Sequence, residues 1–160
     1  MRLRNPNYVL TGYQSQIRVP VRKGEEAHII SQGVPSVVAP SAELYLAAVI
    51  TAVYRKGRLA WGVGRDYAVQ PSDGGRALGR FLITGIRCEA LGDICYTDLR
   101  SMGPPRQHKK RSTVFYRRWY QGYWDERYAG TEFVFSKNPL VWVLHVKPLE
   151  ESKWRNSGTH

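Results

Sequence analysis

The side chains of this sequence suggest two kinds of chemistry, and the first is the binding of phosphate groups. The loop from Gly103 to Arg111 contains two prolines and four basic side chains, and the segment from Ser112 to Trp124 interleaves arginines with aromatic rings. Cations attract the phosphates of any nucleic acid, and exposed rings stack on unpaired bases at roughly 1–3 kcal/mol per base. The combination predicts binding of RNA or another single-stranded nucleic acid. The expected contacts are Arg65, Arg80, Lys109, Lys110, Arg111, Arg117, Arg118, Trp119 and Tyr123.

A structural explanation of the same rings stays open. Ser112 is a suitable N-cap for a helix, and on that helix Tyr116, Tyr120 and Tyr123 share a face with Trp119 beside them. Helices packed on small barrels routinely bury aromatic residues, so we expect at least half of these rings to be structural. The charges therefore support nucleic-acid binding more strongly than the rings do.

The second kind of chemistry is acid–base work by carboxylates. Glu89 and Asp93 lie close together after a predicted central strand, and with Ser36 or Lys23 they supply groups that a hydrolytic reaction needs. The alternative is that Asp93 caps a short helix and Glu89 is solvated. The histidines and cysteines show no metal-ligand spacing, and no glycine motif for phosphates or dinucleotides is present. We therefore expect no metal and no cofactor.

The element that should position these groups is the stretch from Gly79 to Arg100. Its apolar residues nearly alternate with small or polar ones, which predicts a strand between a core and a wetter face. Gly79 and Gly85 mark where the strand begins and bends, and Gly92 permits a turn. A short helix is expected to begin at Thr97. The unit is therefore a strand, a turn and a short helix.

The remaining elements follow from local patterns of charge, glycine and proline. Residues 1–23 carry no acid and form either a basic arm or a first strand, whose Pro20 indicates an edge or a bulge. We expect a short helix from Glu25 to Gly33, a helix near residues 42–56 capped by Ser41, a strand over Leu59–Val69, a hairpin turn at Pro71–Arg76, and strands at Thr131–Phe135 and Leu140–Val146.

Composition indicates a folded domain with an affinity for polyanions. The 160 residues suit one domain, and 42% hydrophobic content argues against disorder throughout. Lys and Arg number 24 against 13 Asp and Glu, a formal charge of +11, so nucleic acid is the leading partner and an anionic membrane surface the second. A generic basic, well-solvated surface is the structural alternative.

Cysteine use and the apolar runs indicate a compartment. Cys88 and Cys95 are too few for a disulfide framework and are expected to be buried thiols in a reducing environment. The N-terminus has no secretory pattern, and the apolar-rich run Leu44–Tyr54 is too short to span a bilayer. We expect a cytoplasmic protein without membrane association, and a monomer is favoured.

Several short motifs in the second half resemble the ASCH domain family of the PUA-like superfamily. They are Arg80–Ile86, Leu91–Ile94, Asp98-Leu99-x-x-x-Gly103, Ser112-x-x-x-Tyr116-x-x-x-Tyr120 and the closing run Asn138–Leu144. The resemblance implies an α+β fold, a PUA-like mixed β-barrel with peripheral helices. It also implies one domain over residues 1–150 with an inserted helix near 42–56, followed by a loosely ordered tail at 151–160. A cleft is expected near Ser36, Arg65, Gln70, Arg80 and Glu89.

The resemblance also carries an enzymatic alternative. ASCH-like sequences have a loop patterned G-x-K-x-x-E/T-x-R after a helix, and some small relatives are amide hydrolases that act on acylated cytidines through its lysine and threonine. The matching loop here is expected to begin at Gly33, and Pro35 then stands at the lysine position. Binding of nucleic acid is therefore the first expectation, and a hydrolase or nuclease acting on RNA or modified nucleosides in the same cleft is the alternative. A third hypothesis is an interaction module of a larger complex.

Overall fold

The computed structural model describes residues 1–44, 48–104 and 111–150. The strands in these residues are β1 Arg2–Leu3, β2 Gln16–Pro20, β3 Glu25–Ser31, β4 Val34–Val38, β5 Val49–Arg55, β6 Arg58–Gly62, β7 Asp66–Pro71, β8 Gly79–Ala90 and β9 Leu140–Pro148. The α-helices are α1 Pro6–Leu10, α2 Tyr96–Ser101 and α3 Thr113–Tyr128, and short 3-10 helices cover Leu91–Asp93 and Phe135–Lys137.

The strands form one open, mixed, nine-stranded sheet around β8. β9 pairs with one edge of β8 and carries β2 on its far side, while β7 and β5 pair with the other edge of β8. β5 is followed outward by β3 and β4, and β6 also pairs with β5. Only the short β1–β7 pair among the described strands is parallel. The expected α+β fold class is confirmed.

Two hydrophobic cores lie on opposite sides of β9. Trp142 and Leu144 belong to the first core, which the strands enclose, whereas Val141 and Val143 belong to the second core beneath α2 and α3. Successive residues of a strand point to opposite faces, so a strand that is covered on both faces is apolar along its whole length. The run Leu140–Val146 has this composition because β9 separates the two cores.

Helix α3 closes the second core with a stripe of rings. Tyr116, Tyr120 and Trp124 recur every four residues and are at most 1% exposed. Ser112 caps the helix, because its hydroxyl accepts a hydrogen bond from the Phe115 N–H at 3.3 Å. The expected helix, its cap and the burial of Tyr116 and Tyr120 are therefore confirmed, but Trp124 rather than Tyr123 completes the buried face.

The central unit and its neighbours also match the sequence patterns. β8 begins at Gly79, and its register with β9 shifts between Ile83 and Gly85, where a bend is expected. A 3-10 turn and α2 follow, and β7 and β8 form the expected hairpin. β2 pairs only with β9 among the described strands, which agrees with Pro20 in an edge strand.

The helix expected from Glu25 to Gly33 is wrong, because these residues form β3 and the turn after it. Burial alternates along β3 with the period of two that a half-buried strand shows. Gln32 and Gly33 have φ of 49° and 80° and make a two-residue hairpin turn to β4. The acid that suggested a helix N-terminus is buried instead: Glu25 accepts a hydrogen bond from Trp142 Nε1 at 2.7 Å.

The helix expected near residues 42–56 is also wrong over its second half, which is β5. Ser41 Oγ accepts a hydrogen bond from the Glu43 N–H at 3.2 Å, which is the contact expected of a capping serine. Residues 45–47 lie outside the described chain. The β-branched residues of β5 suit a strand, and Ile50 and Val53 enter the first core.

Three further expectations concern the remaining segments. The strand expected at Leu59–Val69 is two strands, β6 and β7, separated at Gly64, which has a φ of 78°. The strand expected at Thr131–Phe135 is wrong, because this segment is irregular and leads into a 3-10 helix. The tail at 151–160 lies outside the described residues. None of the described helices is both long and apolar enough to cross a membrane.

Removing the Trp124 side chain tests the role of α3 in the second core. Trp124→Ala leaves a cavity beneath the helix and should lower the free energy of unfolding by about 3–5 kcal/mol. Val114→Ala is the matched control on the same helix, because Val114 is 61% exposed and should change stability by less than about 0.5 kcal/mol. Urea unfolding followed by circular dichroism measures both. Equal, small losses would show that α3 is not part of the core.

Candidate nucleic-acid interface

A buried network of charges joins β2, β8 and α2. The Arg18 side chain has no exposed surface. Its guanidinium donates to Glu89 Oε1 at 2.9 and 2.7 Å and to Asp98 Oδ2 at 2.9 Å. Gln16 Nε2 donates to the other Asp98 oxygen at 2.8 Å. Because each buried charge has a partner of opposite sign, the network avoids the penalty of an unpaired buried ion.

Arg87 extends this network towards solvent. Its Nε donates to Glu89 Oε2 at 3.1 Å, its Nη2 donates to Asp98, and its Nη1 lies 2.9 Å from His145 Nε2. Two guanidinium groups therefore balance two carboxylates. The Arg87 side chain keeps 27% of its surface exposed, so it forms the outer side of the network.

The environment of the network shifts two pKa values downward. Burial alone would raise the pKa of Asp98, but the Gln16 hydrogen bond and the charges of Arg18 and Arg87 outweigh it, so the pKa lies below its usual value. Burial, and then the charge of Arg87, lower the pKa of His145. The carboxylate of Asp98 is thus held ionised and the imidazole of His145 neutral.

The four groups considered for hydrolysis are not gathered in one place. Glu89 is neither solvated nor free, because both of its oxygens bind arginines. Asp93 is exposed, and Cys95 rather than Asp93 is the N-cap residue of α2. Ser36 lies on the exposed strand β4 and Lys23 in the turn between β2 and β3. No hydrogen bond or ion pair joins these four residues within the described chain.

A separate groove, which we call the arginine groove, brings cations and a ring together. It has a volume of about 440 Å³ and is formed by Arg2, Arg4, Ser72, Tyr123, Glu126 and Arg127. β1 and the segment after it, the loop after β7 and the last turns of α3 supply these residues. Three arginines face one carboxylate here, so the groove has a formal charge excess of +2. Its surface therefore favours an anion.

Local backbone structure sets the directions of these side chains. In β1, Leu3 is buried and Arg2 is exposed, and Arg4 beyond the strand end is also exposed, as expected from strand alternation. The Arg2 guanidinium lies close to Gly74, where an added Cβ would be 3.2 Å from Nη2. Arg127 Nη2 donates to the Arg2 carbonyl oxygen at 3.5 Å. The groove thus depends on contacts between the N-terminal segment and helix α3.

Two rings extend the groove along α3. Tyr123 and Trp119 are partly exposed, with centroids 6.1 Å apart and ring planes at 26°. The Arg4 guanidinium lies 5.8 Å from the Tyr123 centroid. Parallel, partly exposed rings beside cations are the arrangement on which unpaired bases stack.

The other expected contacts do not join this groove. Arg117 donates to the carbonyl oxygens of Gly92 and Ile94, each at 3.0 Å, and so supports α3, while Arg80 pairs with Asp66. Arg65 and Arg118 are exposed elsewhere, and Arg111 lies over the Phe115 ring at 5.6 Å. Lys109 and Lys110 lie outside the described residues. Ser36 and Gln70 lie on β4 and β7, with β8, β5 and β3 between them in the sheet order.

The thiols and the metal-binding residue types offer no further site in the described chain. Cys88 is buried as expected, and burial raises the pKa of its thiol to about 12. The expectation of a buried Cys95 is wrong, because that residue is exposed. Among the described residues, no group of three or more His, Cys, Asp and Glu side chains is arranged to hold a metal ion.

Sequence patterns alone do not predict the residues that complete the buried network and the arginine groove. The sequence places Arg2 and Arg4 in a basic N-terminal segment and gives no signal that singles out Arg127. Arg18 lies between Ile17 and Val19, so strand alternation places it on the face opposite to the first core. That parity is the one sequence signal for the network. No local pattern links Arg2 to Arg127, which are 125 residues apart.

The fold is shared with two solved structures. The first is an ASCH domain from Lactobacillus crispatus JV V101, with a TM-score of 0.52 and 14% identity, covering 89% of this chain and 69% of that one. The second is protein EF3133 from Enterococcus faecalis V583, of family-model DUF984. Its TM-score is 0.53 and its identity 9%, and the match covers 98% of this chain and 75% of that one. No family model and no curated protein matches the sequence. The chain therefore has an ASCH-like fold, as the sequence motifs predict.

The lowered pKa of His145 predicts a loss of stability in mild acid. A folded-state pKa below that of the unfolded chain means that unfolding takes up a proton, so stability falls as the pH drops through about 6.5. His145→Gln should flatten the dependence of the unfolding free energy on pH between about 7.5 and 5.5. Urea unfolding across this range measures it. Parallel curves for the wild-type and His145→Gln proteins would contradict the assignment.

Proposed function

We propose that this protein binds single-stranded nucleic acid, RNA or DNA, in the arginine groove. The observation that carries the proposal is the meeting of three arginines with a partly exposed ring pair on one surface. Cations alone attract any polyanion, whereas rings beside cations favour unpaired bases. The groove offers both groups within reach of a single strand.

The charges of the groove are available to phosphates. Arg4 pairs with Glu126, but their side chains are 54% and 66% exposed, and an exposed pair of this kind is worth only about 0–1 kcal/mol. A phosphate group can therefore replace Glu126 as the partner of Arg4 with little loss of free energy. Arg2 and Arg127 are also exposed. The formal charge of +11 on the whole chain attracts a polyanion from a distance at low salt.

The ring pair supplies the preference for a single strand. Tyr123 and Trp119 keep exposed surface while Tyr116, Tyr120 and Trp124 fill the core, so stacking would not disturb the fold. Bases already stacked within a duplex cannot use these rings without unstacking. Single strands of RNA or DNA are therefore the ligands that use every feature of the groove.

The architecture of the fold supports the proposal at a coarser level. We include a PUA-like architecture with peripheral helices in this proposal. The ASCH-like fold is consistent with that architecture. A cytoplasmic location without membrane association belongs to the same proposal, as does a monomeric state.

The hydrolase or nuclease alternative has less support from the described residues. The loop expected at Gly33 is a hairpin tip that does not follow a helix, and both oxygens of Glu89 are already bound. A glycine does follow a helix at Gly12, after α1, but Gln14 then stands at the lysine position of the family pattern. Neither placement supplies the lysine on which the acylated-cytidine chemistry of the relatives depends.

Fluorescence anisotropy with a labelled single-stranded RNA, titrated at several salt concentrations, tests the proposal. Arg2→Gln/Arg127→Gln should weaken binding and reduce the magnitude of the salt slope by about 1.4, because each phosphate contact contributes about 0.7 on a single strand. Tyr123→Leu should weaken binding by about 1–3 kcal/mol with little change in that slope.

The matched control for charge is Lys137→Gln/Lys147→Gln, which removes two exposed cations outside the groove. It should lower the affinity less than Arg2→Gln/Arg127→Gln does. A wild-type protein that does not bind the strand, or groove and control variants that lose affinity equally, would overturn the proposal.

A further inference from the structure

Two neighbouring turns form a second basic surface, which we call the turn ridge. The first turn joins β2 to β3 and carries Arg22 and Lys23, and the second joins β5 to β6 and carries Lys56, with Arg58 directly after it. Strand register places the turns side by side, because Arg55 pairs with Glu25 on one side and with Arg58 on the other. Adjacent strands are about 4.8 Å apart, so these cations form one compact group.

Among the described residues, no acid forms an ion pair with a cation of the turn ridge, although Glu26 and Glu132 line the same groove as Arg22 and Lys23. Arg22, Lys23, Lys56 and Arg58 are exposed. Glu25 is buried and is used by Arg55 and Trp142. The charges of the four cations on the turn ridge therefore remain available to an external anion.

The backbone holds these cations on tight turns. Lys56 and Gly57 have φ of 50° and 72°, the left-handed pair of a two-residue hairpin turn, and Gly24 in the other turn has a φ of 78°. A shallow groove of about 480 Å³ lies along the second turn, formed by Arg55, Lys56, Arg58, Leu59 and Ala60. Less conformational freedom is lost on binding when charges project from short, fixed turns.

The turn ridge approaches the arginine groove at the end of α3. Tyr128 is the last residue of α3, and the Arg127 guanidinium lies 5.8 Å from its ring. Burial raises the pKa of the Tyr128 hydroxyl, and the charges of Arg127 and of Arg22 both oppose that rise. Arg22 also lines one groove together with Phe133, whose ring centroid lies 6.2 Å from that of Tyr128, so the two basic surfaces are neighbours.

We infer that the turn ridge binds the phosphates of a double-stranded segment adjoining the single strand in the arginine groove. The inference rests on the proposed function and narrows its ligand to a junction between single-stranded and duplex nucleic acid. Neither turn carries an aromatic residue, so the turn ridge can neutralise phosphates but offers no ring to an unpaired base. A duplex presents its phosphates with its bases already stacked, and a β-hairpin is an element that fits against duplex grooves.

Anisotropy with three labelled probes of one sequence tests the inference: a single strand, a blunt duplex, and a duplex with a single-stranded tail, each as RNA and as DNA. Wild type should bind the tailed duplex at least about tenfold more tightly than the other two. Lys56→Asn/Arg58→Gln should abolish this tighter binding of the tailed duplex. It should also reduce, by about 1.8, the magnitude of the slope of log affinity against log salt concentration on tailed duplex DNA. Asparagine is chosen because it tolerates the left-handed backbone at Lys56.

The same variant should bind the single strand as wild type does, which separates this inference from the proposed function. Lys137→Gln/Lys147→Gln, with the same loss of charge, should keep the gain for the tailed duplex. The inference is overturned if wild type binds the tailed duplex no more tightly than the single strand, or if the two double variants lose that gain equally. Failure of wild type to bind the single strand would instead overturn the proposed function. The RNA and DNA probes decide which duplex the turn ridge prefers.

Discussion

The geometry of helix α3 is the constraint on which the arginine groove depends. Burial of Tyr116, Tyr120 and Trp124 fixes how the helix is rotated on the second core. With 3.6 residues per turn, Trp119, Tyr123 and Arg127 each lie about 60° around the helix axis from the buried residue three positions before them. That position is the rim of the helix, where a side chain is packed on one face and open to solvent on the other. A core-packing requirement therefore also creates the ring pair of the groove.

The buried network has a different role, which is to hold the sheet and the helices together. Arg18 and Glu89 are 71 residues apart, and Asp98 brings α2 to the same point. Loss of either partner would leave an uncompensated buried charge, a change that typically costs about 3–5 kcal/mol. The network thus explains why Glu89, at the end of the central strand, is a structural residue in this chain. The basic surfaces are built on the frame that it supports.

The sequence allowed the elements with strong local signals to be predicted. The Ser112 cap and four-residue ring spacing defined α3, and the glycines of β8 marked its start and its bend. β3 and β5 were not predicted, because two acids and a serine cap favoured helices locally, while pairing with distant strands and burial of Ile50 and Glu25 favoured strands. The arginine groove could not be predicted, since a short parallel pair between β1 and β7 brings Arg2 to the end of α3.

The proposed function requires that a single strand lies across β1 and the last turns of α3. Ultraviolet crosslinking of the wild-type protein to a single-stranded RNA, followed by mass spectrometry of the crosslinked peptides, tests it most directly. We expect the adducts to concentrate on Tyr123 and Trp119 and on the peptide that contains Arg2 and Arg4. Adducts spread evenly over the surface, or concentrated on the exposed strand β4, would contradict it.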